Sequence, residues 1–154
     1  MKIELPDEAA TISLAATCSA LLPADSAGWT LLLSGELGAG KSTFARGMIR
    51  AMGHQGPVPS PTYTLVEPYQ LAGRTVYHID LYRVSSEGEL RYLGWSELDD
   101  GLRLIEWPER VPILLEQADL RLHFEYQGSG RQVEIAGLCD RGAELAARLA
   151  QSVS

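Results

Sequence analysis

The sequence predicts an α/β fold in a single domain, residues 1–154, with a mixed parallel and antiparallel sheet flanked by helices. Three observations predict it. Short apolar runs alternate with stretches patterned at helical spacing, two pairs of extended segments meet at glycine turns, and no repeat or linker divides the chain. At 154 residues, a single core can bury roughly 68–70% of the unfolded surface.

The elements follow in order. Ile3–Leu5 is a short strand broken at Pro6, and a helix starts near Asp7 or Glu8, whose charge suits its dipole. Leu14, Cys18, Leu21 and Leu22 form that helix's apolar stripe, and Pro23 ends it. Trp29–Leu33 (WTLLL) has the size of a strand buried on both faces. A second helix starts near Lys41, carries Phe44, Met48 and Met52 on one face, and stops at Gly53. Pro57, Pro59 and Pro61 fix an extended loop. Thr62–Tyr69 and Arg74–Tyr82 then form a hairpin turning at Ala72-Gly73. Ser85–Leu98 reads as helical with a break at Gly94, and Gly101–Trp107 as a strand stopped by Pro108. Asp119–Tyr126 and Arg131–Ala136 make a second hairpin, and a final helix begins near Asp140 with Leu145 and Leu149 in register.

Composition narrows the function. With 13 Lys+Arg against 20 Asp+Glu, a formal charge of −7, the chain lacks the basic face that grips nucleic-acid phosphates. Direct DNA binding is not expected, and any role near RNA would run through a partner. Two cysteines, Cys18 and Cys139, are too few for a disulfide framework. The most apolar uncharged stretch, from Ala9 to Ala24, is interrupted by hydroxyls and preceded by acids, which fits neither a membrane span nor a signal peptide. A cytoplasmic chain is the expectation.

Gly35-Glu36-Leu37-Gly38-Ala39-Gly40-Lys41-Ser42 fits G-x-x-x-x-G-K-[ST], between an apolar strand and an amphipathic helix. Glycines let the chain curl so that backbone N–H groups converge on phosphate oxygens, and the helix adds its positive dipole end. Lys41 is placed to reach the β- and γ-phosphates and Ser42 to ligate Mg²⁺. The motif specifies the fold class further, as a P-loop NTPase-like sandwich. One of only two lysines in the chain, Lys2 and Lys41, falls at this position.

Magnesium–nucleotide chemistry also needs a carboxylate at a neighbouring strand end. Asp80 ends VYHID and Glu106 ends LRLIE; Glu106, followed by Trp107-Pro108, is favoured as the metal-linked acid, with both expected near the site. Ser60-Pro61-Thr62 lies where a loop sensing the γ-phosphate would, and reads equally well as a proline-rich lead into the hairpin. His78 shares a strand face with Asp80 and could orient it, but a satisfied core histidine is the favoured reading. Trp107 could shield the nucleotide or simply pack.

Taken in order and spacing, GELGAGKST, SPTYTLVEPY, YHIDLYR and IEWPER resemble the TsaE family (formerly YjeE) of small bacterial P-loop ATPases, across essentially the whole chain. The resemblance implies ATP binding and hydrolysis with Mg²⁺. It also implies a part in making threonylcarbamoyladenosine next to the anticodon of tRNA, through docking on the TsaB–TsaD pair. Carried over, Gly38 to Thr43 would hold the phosphates, Ser42 and Glu106 the magnesium, and Asp80 would serve turnover. Thr11 and Arg131 would lie at the nucleoside end. Many family members have Asp where this chain has Glu36, and Thr where it has Ser42; serine keeps the metal-binding oxygen.

The phosphate loop alone also permits a small-molecule kinase, although no acceptor signature is visible. A GTP switch normally selects guanine through an Asn-Lys-x-Asp motif, which a chain without asparagine cannot contain. No internal arginine finger stands out beyond Arg83 as a candidate, so turnover by the chain alone should be slow.

Overall fold

The computed structural model describes residues 1–153 and gathers seven strands into one sheet. In chain order the elements are β1 (Lys2–Leu5), α1 (Glu8–Leu21), β2 (Thr30–Gly35), α2 (Lys41–Ala51), β3 (Val66–Leu71) and β4 (Arg74–Asp80). They continue with β5 (Leu102–Glu106), β6 (Leu120–Gln127), β7 (Gly130–Gly137) and α3 (Asp140–Val153). The order across the sheet is β1-β7-β6-β2-β5-β4-β3. Strand β2 runs parallel to β5 and β6, and β5 parallel to β4, while the outer pairings are antiparallel. The mixed α/β sheet read from the sequence is the one observed.

Three consecutive leucines dictate the place of β2. Leu31, Leu32 and Leu33 are all fully buried, which requires cover on both faces and strands on both sides. Leu31 and Leu33 face α1, α2 and α3 through a core that includes Phe44, Met48, Phe124 and Leu149. Leu32 faces the opposite side, with Ile79, Ile105, Val111 and Leu114. Each such leucine contributes about 1.5–3 kcal/mol by leaving water. Asp7 caps α1 by accepting from the Ala10 amide at 2.9 Å. Asp119, at the start of β6, accepts from the Thr30 amide at 2.8 Å and from Arg141 Nε at 2.6 Å, which ties β2, β6 and α3 together.

Three segments differ from the sequence reading. Ser85–Leu98 forms no α-helix: 3-10 turns at Glu87–Leu93 and Trp95–Asp100 meet at Gly94, which is left-handed with φ 70°. The apolar anchors Leu90 and Leu93 are three apart, a spacing that the 3-10 turn places on one edge. Further 3-10 turns, Pro108–Arg110 and Pro112–Glu116, complete the cover over Leu32, so among the described residues this face carries no α-helix. Finally, β3 begins at Val66 instead of Thr62. Pro61 to Leu65 is a turn closed by the Leu65 amide on the Pro61 carbonyl at 2.7 Å, with Leu65 at φ 70°.

Candidate nucleotide site

The site forms at the carboxyl ends of the parallel strands. Strand β2 ends in Gly35, where φ is 135° and a Cβ would come within 2.3 Å of the Phe124 carbonyl, so a side chain is excluded. The loop curls through Gly38 and Gly40, and Gly40 (φ 122°) starts α2. The first amides of α2 have no acceptor within the helix, and Lys41, Ser42 and Thr43, which carry them, line a cavity beside the loop. Tyr126 donates to the Leu37 carbonyl at 2.7 Å and Arg131 Nε to the Gly38 carbonyl at 3.2 Å, bracing the loop from β6 and β7.

Lys41 is 4% exposed. Its ammonium donates to the carbonyl of Gly35 and, at 3.0 Å, to that of Glu36, and lies 4.0 Å over the Trp107 ring. Burial pulls this lysine below its ordinary pKa, against the upward pull of Glu106, Glu109, Asp80 and Glu36. The loop thus holds a desolvated cation between its own carbonyls, next to acids it does not touch.

Asp80 and Glu106 face each other across β4 and β5 in register. Ser42 Oγ donates to Glu106 Oε1 at 2.8 Å and His78 Nε2 lies 2.6 Å from Oε2, so both carboxylate oxygens are engaged. Burial raises the Glu106 pKa, but the His78 hydrogen bond and attraction, Ser42 and Lys41 outweigh it and hold the carboxyl below the usual range. Asp80 accepts from Thr62 Oγ1 at 3.2 Å and from the Tyr82 amide at 2.8 Å. Thr62 in turn is 2.7 Å from Ser60 Oγ, which links the proline loop to the acid.

A cavity of about 380 Å³ joins these parts; Lys41, Ser42, Thr62, Asp80, Glu106 and Trp107 are in its wall. Leu37, Gly38, Gly40 and Thr43 line it too. Thr11 and Arg131 line a smaller hollow of about 190 Å³ on the α1 side of the loop, which shares Gly38, Gly40 and Thr43 with the first. Gly35 and Glu36 border neither, lying on the outer side of the loop, and Ala39 is fully buried in the core. Trp107 adopts φ 59°, rare for a bulky residue, directly after Glu106; its ring packs 5.0 Å from Tyr82.

Several features were not read from the sequence. His78 pairs with Glu106 and not with Asp80, and it is no satisfied core histidine, because its Nδ1 is buried without a partner. The β4–β5 register, His78 opposite Leu104, sets this pairing, and spacing within one strand does not reveal it. Arg46, one helical turn past Ser42, and Tyr82 also line the main cavity. Arg83, by contrast, stacks 4.3 Å over Tyr63 and is not among its lining residues.

The chemistry of this donor set suits a magnesium nucleotide. The Ser42 hydroxyl and the carboxylates of Asp80 and Glu106 line the cavity beside the glycine-rich loop, and no cluster of three His, Cys, Asp or Glu able to cage a metal exists among the described residues. Mg²⁺ characteristically takes one or two carboxylates and completes its shell with phosphates and water. Among the described residues no helix is long and apolar enough to cross a membrane.

The tRNA threonylcarbamoyladenosine biosynthesis protein TsaE of Haemophilus influenzae is 43% identical over 115 residues, 73% of each chain. The protein of the same name from Synechocystis is 38% identical over 123 residues, 76% of each chain. The crystal structure of Bacillus subtilis YdiB superposes with a TM-score of 0.78 at 24% identity, covering 100% of this chain and 96% of that one, and shares its fold. The family model described as threonylcarbamoyl adenosine biosynthesis protein TsaE matches residues 5–133, a span from β1 through the phosphate loop and both acids into β7; the chain belongs to the TsaE family.

Proposed function

We propose that this chain, as one P-loop ATPase domain, is the ATP-binding and ATP-hydrolysing component of the machinery that makes N6-threonylcarbamoyladenosine in tRNA, acting with the TsaB–TsaD complex. The names of its relatives support the pathway. The observation that carries the chemistry is the Ser42–Glu106 contact of 2.8 Å beside Asp80 and Lys41, at the mouth of the loop. The charge of −7 favours reaching tRNA through partners.

In this reading the amides of Gly38 to Thr43 cradle the phosphates, and Lys41 transfers its hydrogen bonds from the Gly35 and Glu36 carbonyls to phosphate oxygens. Ser42 and Glu106 hold the magnesium with Asp80 at hand. When bound, the ion offsets charge on the phosphate oxygens. Asp80, fixed by Thr62 and the Tyr82 amide, aligns the attacking water, and the Thr62 contact gives the proline loop a means to register the γ-phosphate. Thr11 and Arg131 serve the nucleoside end. Trp107 shields the ammonium side.

Slow turnover alone and faster turnover in the complex is the expected behaviour. Steady-state phosphate release, with and without TsaB–TsaD, tests it, and equal rates would overturn the coupling. Radiolabel appearing in a metabolite instead of in free phosphate would favour a kinase.

A further inference from the structure

We propose that His78 is a positioning residue: it clamps Glu106 from behind so that the Ser42 hydroxyl presents a lone pair to the magnesium. The inference rests on the ATP–magnesium reading above. An ionised carboxylate only accepts hydrogen bonds, so the 2.6 Å contact requires a proton on His78 Nε2. The other carboxylate oxygen accepts from Ser42 Oγ at 2.8 Å. Glu106 is therefore gripped at both oxygens, one donor from β4 and one from α2.

The grip has a purpose beyond packing. The terminal torsion of a glutamate is soft, and a free carboxylate end would rotate. With Oε2 pinned by His78, Oε1 stays where Ser42 must donate to it, and the serine hydroxyl, having spent its one proton there, turns its lone pairs away from the acid. His78 is 1% exposed and its Nδ1 has no partner. A histidine that served only to fill the core would be expected to have both nitrogens satisfied. Ligand orientation by an outer hydrogen bond is a recurrent device at metal sites, and its loss typically weakens the metal about 10–100-fold.

Two substitutions of like polarity separate the roles. In His78→Gln the amide nitrogen reaches about as far as Nε2 and can donate to Glu106; in His78→Asn it stops near the Nδ1 position. For each full-length protein, the affinity for a fluorescent non-hydrolysable ATP analogue is measured with Mg²⁺ and with EDTA. The expected result is that His78→Asn loses about tenfold or more of the magnesium-dependent gain while binding in EDTA holds within about threefold, and that His78→Gln retains most of the gain. A full gain in His78→Asn overturns the proposal, as does equal loss in both variants with and without magnesium. Wild type binding no nucleotide, or binding it without any magnesium gain, overturns the ATPase reading itself. Should His78→Asn fail to fold, ¹⁵N spectra of the wild-type imidazole decide: a proton on Nε2 supports the clamp, and its absence overturns it.

Discussion

Replacing Lys41 by methionine separates its role in binding from its cost in folding. The ammonium is buried, held by the Gly35 and Glu36 carbonyls, and has a lowered pKa. Two unit charges 4 Å apart interact by about 4 kcal/mol at an effective dielectric of about 20. The ammonium must first leave its loop carbonyls, so a net loss of about 2–3 kcal/mol is expected, about 30–150-fold in Kd. At nucleotide concentrations of about 100 times the wild-type Kd, binding adds about 2.7 kcal/mol of stability, and about 0.4 kcal/mol when Kd rises to match the concentration. For a chain of this size the wild-type gain corresponds to a Tm shift of about 5–11 °C, and the gain left to Lys41→Met across that range of Kd to under about 4 °C. The ligand-free proteins should show the opposite ranking. A lysine pKa lower in the folded state than in the unfolded one means that folding disfavours the charge at neutral pH, so the ligand-free variant should melt at or above the wild-type temperature. Thermal melts with and without magnesium ATP analogue give both numbers. A variant that keeps more than half the wild-type ligand shift would refute the reasoning.

Glu106→Gln should flatten the acid limb of the stability curve. A carboxyl held below its unfolded pKa stabilises the fold above about pH 4.3, and that stability is lost as the pH falls through the folded value; urea melts from neutral pH downward should show the loss in wild type and less of it in the variant. Asp80→Asn should lower phosphate release in the TsaB–TsaD complex by about 100-fold or more while analogue binding stays within about threefold. Full tRNA modification by the complex carrying that variant, with phosphate release lost, would instead mean that ATP acts only as glue for assembly; undiminished phosphate release would mean that Asp80 is not needed for hydrolysis. In Gly142→Ala the new Cβ would lie 1.6 Å from the Asp119 carbonyl, a backbone atom that cannot yield cheaply; a loss of about 3 kcal/mol in urea melts is expected, with nucleotide affinity preserved.

What could be read from the sequence was local. The glycine spacing of the phosphate loop, the Ala72-Gly73 turn and the buried run at Leu31 to Leu33 each carry their cause within a few residues, and each matches the structure. The favoured acid, Glu106, lies against Ser42, with Asp80 beside it. What escaped depended on register or on a competing local geometry. His78 and Glu106 are 28 residues apart and meet only because β4 and β5 pair as they do. Thr62 read as a strand residue because β-branched and aromatic neighbours surround it, yet the turn closed on the Pro61 carbonyl is what brings its hydroxyl to Asp80. The 3-10 cover misled for a related reason, because leucines at three-residue spacing serve both helix types.

The pocket hangs from two unlike supports. Its phosphate cradle is rooted in β2, the middle strand of seven, laddered on both flanks and shut from water on both sides. The Ser60–Thr62 stretch is rooted in β3, the last strand, whose only ladder among the described residues is the one with β4. Amide hydrogens around the cradle should therefore exchange only with rare, large openings, and those along β3 with frequent, small ones. One jaw is anchored at the centre of the sheet and the other at its rim; if the pocket holds a nucleotide as proposed, the first suits grip and the second suits response.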